Sequence, residues 1–187
     1  MSVSLKRKEL LVAAIGVATL LPGCGGSVVG LPVPEEPTEV TLWDFRASPL
    51  VEASAFSWII LQKVRTDQTD QWDFGFSLEE DGTALLFPRG SVLDAPSTAG
   101  LQFVDETFEQ LVLAPDSGYV TDEPVSVRVG DVLAGVSRRD CGVLNLVRFG
   151  KLEILEIDEI RGTLTFKQLA NPNCENRNLV PGEVGET

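Results

Sequence analysis

The chain has 187 residues, 43% of them hydrophobic and 23% charged, with a formal net charge of −13 and no histidine. Such acidity repels phosphate backbones, which excludes nucleic acid as a partner, and it excludes adhesion to anionic lipid through a basic patch. The missing histidine excludes a His general base, the Ser-His-Asp and Cys-His arrangements and His-based zinc or haem ligation, and the single methionine is Met1.

In chain order, a basic start with Lys6, Arg7 and Lys8 leads into an apolar run from Leu10 to Leu21. Those 12 residues are too few to span a bilayer, which takes roughly 20. Pro22, Gly23, Gly25 and Gly26 then stop any helix. A positive segment, an apolar segment and a small residue ahead of a cut make a secretory signal. Leu21-Pro22-Gly23-Cys24 resembles the lipobox of bacterial lipoproteins, with Pro22 the less usual member. An ordinary cleavable signal with an incidental cysteine is the rival reading. The resemblance implies a signal over residues 1–23 that is removed, and acylation of Cys24, which makes the lipid bilayer a partner. Gly25 stands where inner-membrane lipoproteins usually carry aspartate. The expected location is therefore the outer membrane of a bacterial envelope, with the domain in the periplasm or on the cell surface. Taking 23 residues from 187 leaves 164, with 12 basic and 27 acidic side chains and a net charge of −15. That is one domain's worth of chain, enough for a full hydrophobic core.

Residues 24–39 are expected to be the lipidated cysteine and a flexible Gly/Pro/acidic tether, since no hydrophobic period lasts there. A single β domain is expected over 40–178 and a disordered tail over 179–187. Val40 to Phe45 alternates, as does Trp72 to Leu78, with the large apolar residues on one face. Asp81-Gly82 is a turn dipeptide, which predicts a hairpin across 71–88. Val125 to Val129 and Val132 to Ser137 read as strands around Gly130-Asp131. Lys151 to Asp158 and Thr163 to Lys167 read as a closing hairpin, and the slip in alternation between Ile154 and Leu155 reads as a bulge, with a short helix as the alternative. Ala55 to Gln62 is uniformly apolar, a central strand or a buried turn of helix. Asp105 to Leu113 has a helical pattern. The expected fold class is all-β, an antiparallel β-sandwich or jelly roll with at most one short helix.

If Cys24 carries lipid, Cys141 and Cys174 remain as a pair. A disulfide suits the oxidising envelope, with two free thiols or half of a metal site as the alternatives. Gln71–Phe76, Ser117–Asp122, Gly150–Leu155 and Gly162–Phe166 resemble, in order, segments of the HmuY-like outer-membrane lipoproteins. That resemblance implies a β-rich fold and haem binding. The family holds iron through paired histidines or methionines, and the mature chain has neither. No haem or other cofactor is therefore expected.

Candidate binding residues are few. Trp43, Trp58 and Trp72 suit stacking on a sugar or a flat ligand, although each lies in an apolar strand pattern that also suits the core. Arg138, Arg139 and Arg177 flank the two cysteines and suit an anionic group or a partner protein, while local pairing with Asp140 and Glu175 explains them equally. Glu79-Glu80-Asp81, and Asp116 with Asp122-Glu123, lack the spacing of a calcium loop and read as solvated turns. No catalytic residue and no metal ligand set stands out. The functional expectation is non-enzymatic capture of a small molecule or glycan. A structural or assembly role, docking to another envelope protein, is the alternative. A carboxylate-based hydrolase is remote.

Overall fold

The computed structural model describes residues 30–47, 52–93 and 96–184. Cys24, the signal and the first part of the expected tether lie outside the described residues. Ten strands follow in chain order: β1 (Thr38–Trp43), β2 (Ala55–Ser57), β3 (Gln62–Val64), β4 (Phe74–Leu78), β5 (Ala84–Pro88), β6 (Gly100–Phe103), β7 (Val125–Val127), β8 (Val132–Val136), β9 (Phe149–Asp158) and β10 (Thr163–Ala170). They form two 5-stranded sheets, ordered β1-β10-β9-β8-β6 and β3-β2-β4-β5-β7. Every strand pair is antiparallel. The molecule is an all-β sandwich. A single 3-10 turn, Arg89–Ser91, is the only helical element among the described residues.

The inner faces of the sheets meet in one apolar layer built from Leu42, Phe56, Phe74, Phe76, Leu86, Leu152, Ile154, Leu164 and Phe166, all buried. Phe56, Trp58, Phe74 and Phe166 interlock there, with contacting ring centroids 5.1 to 5.9 Å apart. The predicted bulge falls where the alternation slips. Phe166 pairs with Ile154 and Thr165 with Glu156, which leaves Leu155 as the extra residue. The extra residue resets the pleat, so Ile157 turns back to the core beside Ile154. The 71–88 hairpin is also present as β4 and β5, and Gly82 takes the φ of 83° that its turn requires.

Three expectations are corrected. Ala55–Gln62 is neither one central strand nor helix: β2 turns at Trp58–Leu61 and returns as the edge strand β3. β7 and β8 are strands as expected, and because they lie in different sheets Gly130-Asp131 is a corner between layers. Asp105–Leu113 forms one turn closed by the Leu111 amide on the Thr107 carbonyl. It does not extend: Pro115 has no amide to give the Leu111 carbonyl, and Lys151 Nζ donates to the Phe108 and Leu111 carbonyls instead.

The third concerns the chain ends. The outer face of the first sheet is apolar at Ala134, Val136 and Phe149, and Leu111, Ala114 and Leu179 cover it. Leu179 is fully buried, and its amide bonds the Val112 carbonyl. The Val33 amide and carbonyl pair with Glu183 and Gly182 respectively. Within the expected tail and tether, Leu179 and Val33 are therefore buried against the sandwich, whereas Pro34–Pro37 and Pro181–Val184 are exposed.

Candidate functional site

At one end of the sandwich, charged residues are locked between the two sheets. Trp58 fills the space over Gly135 of β8 and Gly150 of β9, where a Cβ on either glycine would come within 2.5 Å of the indole. Asp73, just before β4, points into this end. Its carboxylate accepts from the Trp58 amide at 2.6 Å, the Arg138 amide at 2.7 Å and Arg138 Nη1 at 3.3 Å. Burial pushes the Asp73 carboxyl up, and these donors pull it back toward the ionised form they need. Arg138 follows β8, so the pair ties the second sheet to the first. Its other contacts are Ser57 Oγ, Gln71 Oε1 and Asp140.

Arg148 joins three more segments at this end. Nη1 donates to the Trp58 and Ile59 carbonyls and Nη2 to the Pro172 carbonyl. The Cys141–Cys174 disulfide closes the same end, with Cα atoms 5.7 Å apart. A shallow groove of about 410 Å³ opens beside it, lined by Gln71, Arg89, Ser97, Thr98, Arg138 and Arg139 among others.

The predicted arginine set is only partly gathered. Arg138 is buried and committed to Asp73, while Arg139 is exposed on the groove. Arg177 pairs instead with Asp116, at 3.6 Å, and does not line the groove.

The tryptophans separate as well. Trp58 and Trp72 are buried, whereas Trp43 at the end of β1 is half-buried. Trp43 lines a groove of about 470 Å³ with Glu79, Glu80, Glu159, Ile160 and Arg161. This groove lies at the opposite end of the sandwich, where the β4–β5 and β9–β10 turns meet. Its floor is built: Asp44 Oδ1 accepts from Ser77 Oγ and from the Arg46 amide. Arg46 packs over Phe87 and pairs with Glu79 at 2.7 Å. The groove offers an aromatic edge, carboxylates and a guanidinium, a set suited to hydroxyl-rich ligands.

The acidic turns serve the fold. Asp81 caps its own turn through the Thr83 amide, which holds its carboxyl below the usual range. Among the described residues no three His, Cys, Asp or Glu side chains gather as a metal site.

Sequence reasoning missed Asp73, Arg148 and Lys151. Asp73 and Lys151 fall on the polar side of an alternating strand, a pattern that signals solvent. The 107–111 turn covers Lys151, and Trp58 and Arg138 enclose Asp73 at the end of the sandwich, which nothing in the local sequence announces. The chain matches no family model, no curated protein and no solved structure.

Proposed function

We propose that this protein is a lipid-anchored, non-enzymatic binding protein of a bacterial cell envelope, placed at the outer membrane through acylated Cys24. Its ligand is a small molecule or glycan taken at the Trp43 groove. One observation carries the choice of site: of the three tryptophans, Trp43 alone is not buried, and it lines a groove with carboxylates and Arg161. Carbohydrate sites pair an aromatic face with groups that hydrogen-bond hydroxyls. The arginine groove supports the reading less, because Arg138 is committed to Asp73 and Arg177 lies elsewhere. From the resemblance to the HmuY-like lipoproteins the proposal takes location and β-rich architecture, and leaves out iron ligation.

The test is a titration of the purified protein with a panel of neutral, amino and acidic oligosaccharides, followed by intrinsic fluorescence and calorimetry. The expected result is binding by at least one class, weakened tenfold or more in Trp43→Ala, with the melting temperature held near that of the parent. Binding that is unchanged in Trp43→Ala removes this site. A panel that yields no ligand, with an envelope protein captured instead by cross-linking in intact cells, favours the assembly role. Turnover of any glycan removes the non-enzymatic reading.

A further inference from the structure

The disulfide end of the sandwich carries an exposed apolar group that the core does not use. Val143 and Leu144 are 97% and 75% exposed. They form the tip of a loop closed by paired backbone hydrogen bonds between Cys141 and Leu146. Gly142 and Asn145, with φ of 66° and 52°, make its corners. The disulfide fixes the base of the loop to Cys174. A tip held this way cannot fold back to bury its side chains. Two further apolar residues belong to the same end. Ile60, 50% exposed, sits on the β2–β3 turn that Arg148 fastens to Pro172. Leu31, 63% exposed, is bound through its amide and carbonyl to the Asn173 side chain.

Leu31 also fixes where the anchor arrives. The described chain enters the fold at Gly30, against Asn173 and next to the disulfide. Cys24 is six positions earlier. Six residues span at most roughly 20 Å, even fully extended. The lipid-bearing cysteine therefore lies within that reach of Asn173, at the end that carries Val143 and Leu144. The opposite end, with Ile160 and the Trp43 groove, is the length of β9 away. That strand has 10 residues, or about 30 Å at its rise per residue.

We propose that the disulfide end rests on the bilayer, with Val143 and Leu144 inserted among the lipid headgroups as a second, non-covalent contact beside the Cys24 acyl chains. The inference rests on the lipoprotein reading of Cys24. Several acyl chains on Cys24 suffice to hold the protein at the bilayer, and a second apolar contact fixes the domain's orientation on it. The chain's overall acidity does not oppose this, because the contact is apolar. Of the charges near the loop, Arg138 is buried on Asp73 and Arg148 is bound to backbone carbonyls, which leaves Arg139 and Asp140 exposed and in balance. With this end down, the Trp43 groove faces away from the membrane.

The experiment uses the processed, full-length lipoprotein in phosphatidylethanolamine/phosphatidylglycerol vesicles containing brominated acyl chains. An environment-sensitive fluorescent amino acid replaces Leu144 in one preparation and Ile160, 99% exposed, in another. Mass spectrometry of the amino terminus accompanies each. The expected result is an acylated Cys24, strong bromine quenching at 144 and none at 160. Acylated Cys24 with an unquenched probe at 144 overturns the orientation and leaves the lipoprotein reading standing. A blue shift at 144 without quenching means that a protein surface covers the loop, and also overturns it. Equal quenching at both positions means that the domain has no preferred face. An unmodified Cys24 removes both readings together.

Discussion

Two glycines and one lysine carry much of the local specificity. Gly135 and Gly150 lie side by side in paired strands, and together they leave room for the Trp58 indole. A methyl on either would drive into the ring with no flexible neighbour to give way. Gly150→Ala is expected to destabilise by about 1–3 kcal/mol or more, read as a lowered denaturation midpoint. A parent-like midpoint would mean that Trp58 has space to shift. Lys151 is buried under the 107–111 turn, close to the Phe108 ring and within the fields of Glu109 and Lys167. Burial lowers its ammonium from the usual 10.5 to about 8. The folded chain thus releases this proton near pH 8 and the unfolded chain near 10.5. Between those values the unfolded state binds more protons, so stability rises with pH and then levels off. The neutral amine still has two hydrogens for the Phe108 and Leu111 carbonyls. Lys151→Met is expected to flatten the stability profile between pH 8 and 10, a loss of slope worth roughly 1–3 kcal/mol over the window. Urea unfolding at several pH values measures it, and parallel profiles for the two proteins would refute it.

At the scale of elements, the disulfide joins the β8–β9 loop to the segment after β10 across a sequence separation of 33. Closing a loop of that size stabilises by about 3–4 kcal/mol in the chain-entropy model. The double variant Cys141→Ala/Cys174→Ala is expected to lose that much and to exchange amide hydrogens faster over 138–148 and 171–178. An unchanged melting temperature would show that Arg148, which spans the same segments, already fixes them. Strand positions were legible because alternation with period two survives wherever one face of a strand meets the core, as in Trp72–Leu78 and Val125–Val129. The bulge at Leu155 was legible for the same reason, since a slip in period is itself a signal. The 55–62 hairpin was not, because every residue from Phe56 to Leu61 except Ser57 is apolar and periodicity has nothing to report. The order of strands was hidden too. Gly130 reads as an ordinary turn whether it joins neighbours in one sheet or carries the chain between two. At the site, the type of residue was legible and the company it keeps was not. Arg138, Arg139 and Arg177 stood out near the cysteines, yet Asp73 lies far back in the sequence and decides which arginine is buried.

For the whole molecule, the two sheets share a single aromatic layer, and the Asp73–Arg138 pair clamps them at one end. Neither sheet has another apolar partner of comparable size for its inner face. Unfolding is therefore expected to be a single cooperative transition. Trp58, buried between the layers, reports their separation through fluorescence, and far-ultraviolet circular dichroism reports the strands. The two curves should coincide in urea at neutral pH. Replacing Asp73 with alanine leaves the Arg138 guanidinium buried without its main partner, a change that typically costs about 3–5 kcal/mol. Its effect distinguishes two kinds of sandwich. If the aromatic layer alone couples the sheets, Asp73→Ala lowers the midpoint and the two curves still coincide. If the clamp is needed for coupling, fluorescence changes before circular dichroism does, because the disulfide end opens while the strands persist. The layer's continuity from Leu42 to Phe166 argues for the first outcome. In that case the disulfide end can tolerate local strain at Val143 and Leu144 without loosening the Trp43 groove at the other end.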